Sequence, residues 1–287
     1  MTLCLFASDV HGRIDAYEKL FRAIESRRPQ AVFLGGDLLP SAFMAPASTP
    51  KGTGDFVNGY LAENLERLRQ RIGGAYPAVF LVLGNDDGKF PEAAVLDVAA
   101  RGLWTYVHGR SAALGDYRVY GYSYVPPTPF LLKDWERYDV SRFVDPGCVS
   151  PEEGKRTVPE PENQSRYRTI QQDLEELAGG DDLRRAIFLF HSPPYRTALD
   201  RAALDGRSVD HAPLDVNVGS IAIRRFVQAR QPLLTLHGHV HESARLTGAW
   251  RDRIGSTRLF GAAHDGPELA LVRFDLANLE HASRELL

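Results

Sequence analysis

Five short apolar runs in this chain each stop at a residue able to bind a metal, and that coincidence limits the fold more than any other feature. "TLCLFAS" (2–8) runs into Asp9 and His11, "AVFLGG" (31–36) into Asp37, and "AVFLVLG" (78–84) into Asn85. "AIFLF" (186–190) is followed by His191, and "PLLTL" (232–236) by His237, His239 and His241. Runs of this length and composition, bounded by Gly and Asp, read as buried strands. Each polar residue then stands at the carboxyl edge of a strand, where open α/β sheets bind their ligands. Singly, an Asp there is a turn or cap residue and a His is a core residue. In "GHVH" (238–241), however, His239 and His241 sit two apart on an extended segment and share a face.

Between the strands, "DAYEKLFRAIESR" (15–27), the segment 64–72 and "IAIRRFVQAR" (221–230) have helical spacing, and "YRVYGYS" (117–123) is a further strand. At the C-terminal end "STRLFGA" and "ELALVRFDL" alternate without an intervening helix, which predicts an antiparallel pair. The pattern implies a single α/β domain over 1–287 with mixed sheets. Long loops near 40–55 and 145–163 are rich in Pro, Gly, Ser and Thr.

Composition narrows the partners. A net charge of −3 argues against a nucleic-acid surface. No apolar run approaches the roughly 20 residues of a membrane span. The N-terminus enters a strand without a leader pattern, so a cytoplasmic protein is expected. Cys4 and Cys148 are too few for a disulfide framework and lack metal-site spacing.

The motifs "DVH" (9–11), "GGD" (35–37), "GN" (84–85), the strand-end His191 and "GHVH" (238–241) resemble, in order, those of the calcineurin-like metallophosphoesterase superfamily. "PPTPF" (126–130) and "GSIAIRRFV" (219–227) are similar to its bacterial and archaeal single-domain branch. The resemblance implies a four-layer α/β/β/α sandwich with two mixed β-sheets. It also implies a phosphoesterase, acting on a phosphodiester or phosphomonoester by attack of a hydroxide bridging two metal ions. Asp9, His11 and His241 would hold one ion, Asn85, His191 and His239 the other, and Asp37 would bridge, so that Asp37, Asn85 and His191 serve catalysis through metal. Carboxylate, imidazole and amide donors suit divalent Mn, Fe, Zn or Ni. A small phosphate ester is the implied substrate. A nuclease or nucleotide hydrolase on the same fold is the enzymatic alternative, and a non-catalytic scaffold the alternative from another class.

Many members carry a histidine after the metal-binding Asn, where this chain has Asp86. A carboxylate beside two cations stays ionised and can donate no proton. Asp86 and Asp87 are therefore expected to cap the following helix or to orient a ligand histidine, and the substrate to carry a good leaving group. On that reading Asp86→His raises turnover of monoesters. His237 is expected in the core. His211, His264, Arg13 and Arg196 are candidates for substrate contact or solvent exposure. The aromatics Phe43, Tyr122, Tyr124, Phe130 and Trp135 could stack on a substrate ring or close the loops over the core, and the loops 40–55, 123–133, 145–163 and 195–217 carry specificity.

Overall fold

The computed structural model describes residues 2–41 and 55–287. Most of the expected 40–55 loop, with Phe43, therefore lies outside the described residues. The first half of the chain forms β1 (Leu3–Ala7), α1 (Ile14–Arg27), β2 (Ala31–Gly35), α2 (Glu63–Ile72), β3 (Ala78–Val82), α3 (Glu92–Ala100) and β4 (Thr105–Tyr106). A hairpin of β5 (Arg110–Leu114) and β6 (Tyr117–Tyr122) follows, then α4 (Glu162–Tyr167), α5 (Ile170–Ala178) and β7 (Ala186–Phe190). The remainder is β8 (Ser208–Val209), β9 (Ala212–Pro213), α6 (Ile221–Arg230), β10 (Leu234–His237), α7 (Ser243–Thr247), β11 (Arg251–Ile254), β12 (Thr257–Gly261), β13 (Ala270–Asp275) and β14 (Asn278–Leu286).

Two six-stranded sheets result, ordered β14-β13-β1-β2-β3-β4 and β11-β12-β10-β7-β6-β5. Each combines parallel and antiparallel pairs, so both are mixed, as expected. The period of two along each strand sends alternate side chains to opposite faces. Phe6, Phe33, Phe80 and Phe274 of the first sheet meet Ile187, Leu189, Leu236 and Phe260 of the second in a layer between the sheets. Phe33 stacks on Phe80 and on Phe274 with centroids 5.5 and 6.0 Å apart. Truncating one such ring to alanine costs about 3–5 kcal/mol.

The outer faces take the helices. α1 buries Ala16, Tyr17, Leu20, Phe21 and Ile24, one stripe at helical spacing. α6 lies on the second sheet, where Phe226 meets Phe188 edge-on with centroids 5.0 Å apart. α3 and α5 lie where no helix was read from the sequence. α3 is apolar without a clear stripe, but α5 carries a legible signal: Thr169 and Gln172 form a reciprocal capping box.

One expectation is corrected. β12 and β13 are not paired with each other. β12 lies between β10 and β11 in the second sheet, whereas β13 lies between β1 and β14 in the first. Both strands turn an aromatic inward, and Phe260 and Phe274 meet across the layer with centroids 5.6 Å apart. Facing strands from two sheets satisfies the same alternation that a hairpin would. No helix among the described residues is long and apolar enough to cross a membrane.

Candidate metal centre

The carboxyl ends of β1, β2 and β3 from one sheet and of β7 and β10 from the other converge on one point. Backbone hydrogen bonds lock the loops together there: Asp9 N–H donates to Gly36 O at 3.0 Å, His11 N–H to Asp37 O at 2.8 Å, and Gly238 N–H to His191 O at 2.9 Å. Asp9, His11, Asp37 and His239 all have positive φ, a left-handed conformation that costs a non-glycine residue roughly 1–3 kcal/mol. The chain leaves β1, β2 and β10 through these left-handed residues. Glycines make the approach possible. A Cβ on Gly84 would lie 2.6 Å from His191 Nε2, and one on Gly36 would lie 2.5 Å from His191 Nδ1.

The donor atoms crowd together. Asp9, His11, Asp37 and His241 each present one ligand atom within 4.8 Å of the others. His11 Nε2 is 3.2 Å from His241 Nε2, which is 3.4 Å from Asp9 Oδ1. On the other side, His191 Nε2 lies 3.0 Å from Asn85 Oδ1 and 3.3 Å from Asp37 Oδ2. His239 completes this half, its ring centroid 5.2 Å from that of His191 and its backbone N–H donating to Asp9 Oδ1. Asp37 thus stands between two groups of donors, and all seven residues named from the sequence meet here.

This set fits metal ions. His191 donates Nδ1–H to the Gly35 carbonyl at 2.8 Å, so its Nε2 carries a lone pair. That lone pair lies beside the Asn85 and Asp37 side-chain oxygens, a buried arrangement that a cation satisfies. A proton is the simplest such cation. Burial opposes charge on His191, but the Asp37 carboxylate and then Asp9 outweigh it and push the imidazole up to about 9. His11, against the same opposition from burial, is lifted to about 9 by its bond to Asp86 and by Asp37. Asp37 is held well below the usual carboxylate range, because the charge on His191 and His11 overcomes the effect of burial.

Asp86 is the residue the sequence left most open. Its Oδ2 accepts from His11 Nδ1 at 3.1 Å, and its Oδ1 accepts from Ser41 Oγ at 2.8 Å. It therefore orients His11. Asp87 is buried, and its oxygens accept from the backbone N–H of Leu38, Leu39 and Gly84 at 3.2, 2.7 and 2.8 Å. It ties the Asp37 loop to the Asn85 loop. Neither residue caps the next helix, because α3 starts after Pro91 without a side-chain cap.

Other candidates fall outside the cluster. His237 is buried in the core, bonded to Ser192 O and Thr235 Oγ1, as expected. Arg13 is bonded to the carbonyls of Pro267 and Glu268. Arg196 lies over the Tyr195 ring, His264 pairs with Glu268, and His211 is exposed at the β8–β9 turn. Tyr122, Tyr124 and Trp135 are buried around His108. Phe130 does line the cleft over the centre. With Pro129, Leu131, Leu132 and Lys155 it walls a cleft of about 780 Å³ whose floor holds His11, Asp37, Asn85 and Asp86. Lys155, Leu131 and Glu242 were not picked out from the sequence. Lys155 lies in the polar 145–163 loop and Leu131 in the 123–133 loop, and only the pairing of those loops brings them to the site.

A family model described as calcineurin-like phosphoesterase matches residues 3–243. No curated protein matches the chain. Among solved structures, TT1561 of Thermus thermophilus aligns with a TM-score of 0.56 at 19% identity, covering 99% of this chain and 98% of that one. Phosphopantetheinyl hydrolase (PptH) from Mycobacterium tuberculosis aligns with a TM-score of 0.54 at 12% identity over 91% and 89%. At these identities the likeness is one of fold.

Proposed function

Because the chain belongs to the calcineurin-like phosphoesterase family and is a metal-dependent phosphoric ester hydrolase, we propose that it works with two divalent cations on small phosphate esters that have good leaving groups. The convergence of six potential donors from two sheets around Asp37 carries this reading. Asp9, His11 and His241 would hold one cation, Asn85, His191 and His239 the other, with Asp37 shared between them. Mn, Fe, Zn or Ni in that setting would polarise the phosphoryl group and activate the attacking water.

The chain's own residues do the rest. Asp86 holds the Nδ1–H of His11 and the Gly35 carbonyl holds that of His191, so each ring keeps its Nε2 lone pair aimed at the cluster. Asp37 Oδ1 is fixed by the N–H of Asp86 at 2.8 Å, which leaves Oδ2 toward His191 and His11. At the cleft floor Asp86 accepts hydrogen bonds rather than donating a proton. Among the described residues no histidine stands in its place after Asn85, and esters of acidic alcohols are favoured.

The test is metal analysis of the purified chain, followed by p-nitrophenyl phosphate, bis-p-nitrophenyl phosphate and an alkyl phosphate, each assayed with Mn, Zn, Ni and Fe. Metal near two per chain and turnover steepest for the aryl esters are expected. Asp37→Asn should lower kcat by a factor on the order of 10² and reduce the bound metal. Metal well below one per chain together with no turnover of any ester would sink the proposal.

A further inference from the structure

The cleft over the metal centre has a wall as well as a floor, and the wall is built. Residues 129–132 are pinned to the 145–163 loop: Lys155 N–H donates to Leu131 O at 2.7 Å, and Lys133 N–H donates to Lys155 O at 2.8 Å. The Lys133 ammonium, itself buried, bonds Thr128 O at 2.9 Å and anchors the turn from inside. The Cα of Lys155 is thus fixed at the cleft by hydrogen bonds on both sides.

Lys155 is the one lysine or arginine among the described residues lining this cleft, whose other charged or ionisable side chains are the imidazoles of His11, His239 and His241 and the carboxylates of Asp37, Asp86 and Glu242. No carboxylate among the described residues lies within ion-pair distance of its ammonium. The arginines near the strand ends are taken, Arg13 by backbone carbonyls and Arg196 by its place over Tyr195. Beside Lys155 the same wall exposes Phe130 at 63% and Leu131 at 50%, large apolar groups at the rim of a polar centre. Exposed apolar surface continuous with a reactive site marks where a ligand is covered.

We infer that Lys155 and the Phe130–Leu131 rim form the substrate wall, Lys155 meeting the phosphoryl anion and the rim covering an aryl or similarly flat apolar ester group. This rests on the phosphoesterase reading of the same site and specifies its substrate class. The ammonium supplies, from the wall, a positive charge that Asp86 cannot supply from the floor.

The metal-loaded full chain tests this without turnover, through calorimetric binding of phenylphosphonate and methylphosphonate, two non-hydrolysable probes. Lys155→Met should weaken phenylphosphonate binding about tenfold, with the melting temperature unchanged, and Lys155→Arg should recover most of the loss. In kinetics with bis-p-nitrophenyl phosphate, Lys155→Met should raise KM about tenfold and move kcat far less. Phe130→Ala should erase most of the preference for phenylphosphonate over methylphosphonate while leaving methylphosphonate binding in place. Binding within twofold of wild type for Lys155→Met, or equal binding of the two probes by wild type, overturns the inference. Failure of every metal to support ester hydrolysis overturns the phosphoesterase reading instead, and the phosphonate measurements still decide the role of the wall.

Discussion

Asp86 shows how a single residue changes meaning between sequence and structure. As a bare departure from the motif it suggested that restoring a histidine would raise monoester turnover. With its carboxylate against His11 Nδ1 at 3.1 Å and Ser41 Oγ at 2.8 Å, it has work of its own. Groups that orient a metal-binding histidine typically contribute 10–100-fold to affinity or activity. Asp86→Ala is accordingly expected to weaken metal binding by roughly 10–100-fold, read by competition with a chelator. Asp86→His should also lose activity rather than gain it, because a second imidazole cannot accept from both partners as a carboxylate does. The seven candidate donors were legible because each stands close after a strand and their order resembles the family's motifs. That Asp86 orients a histidine was among the expectations, but which histidine was not legible, because His11 lies 75 residues away.

At the scale of elements, the helices are held by devices that the sequence displays unevenly. α5 has its capping box in four consecutive residues. α6 has Ser220 as its N-cap, accepting from Ile223 N–H, but a second device comes from far off in the chain. The Asp139 carboxylate accepts from Ser220 Oγ at 2.5 Å and from Ile221 N–H at 2.7 Å, pairing buried N–H groups of the first turn that have no partner within the helix. Removing it leaves buried donors unpaired at the start of the helix that covers the second sheet. Asp139→Ala should therefore destabilise the fold by about 1–3 kcal/mol in denaturant unfolding, with no change in the metal content of the folded protein. A loss under about 0.5 kcal/mol would show that water replaces the carboxylate.

For the molecule as a whole, the parallel strands of the two sheets put their carboxyl edges side by side, and the same packing encloses groups that cannot ionise freely. His108 is ringed by Tyr106, Tyr122, Tyr124 and Trp135, and its Nδ1 accepts from Ser123 N–H. Burial, then the charges of Lys89, Arg137 and Arg110, push it down to about 3 from an ordinary 6.5. The unfolded chain takes up this proton first on acidification, so His108 contributes stability in full above about pH 6.5 and loses it progressively toward pH 3. Melting temperatures measured between pH 7 and 5 should fall for the wild type and fall less for His108→Phe. Parallel slopes would assign the acid sensitivity to other groups.

What the sequence determined by itself is the set of local facts: strands of period two, helices with one apolar stripe, and a potential metal ligand placed near each of five strand ends. These follow from neighbours a few residues apart, and the physics of a strand or helix acts at that range. Only the tertiary structure decided that the five strand ends divide between two sheets, that β12 and β13 face each other instead of pairing, and that Lys155 stands at the cleft. Those outcomes turn on burying apolar faces between layers and on hydrogen bonds between distant loops. The same alternating sequence satisfies several such arrangements, and the packed core selects one of them.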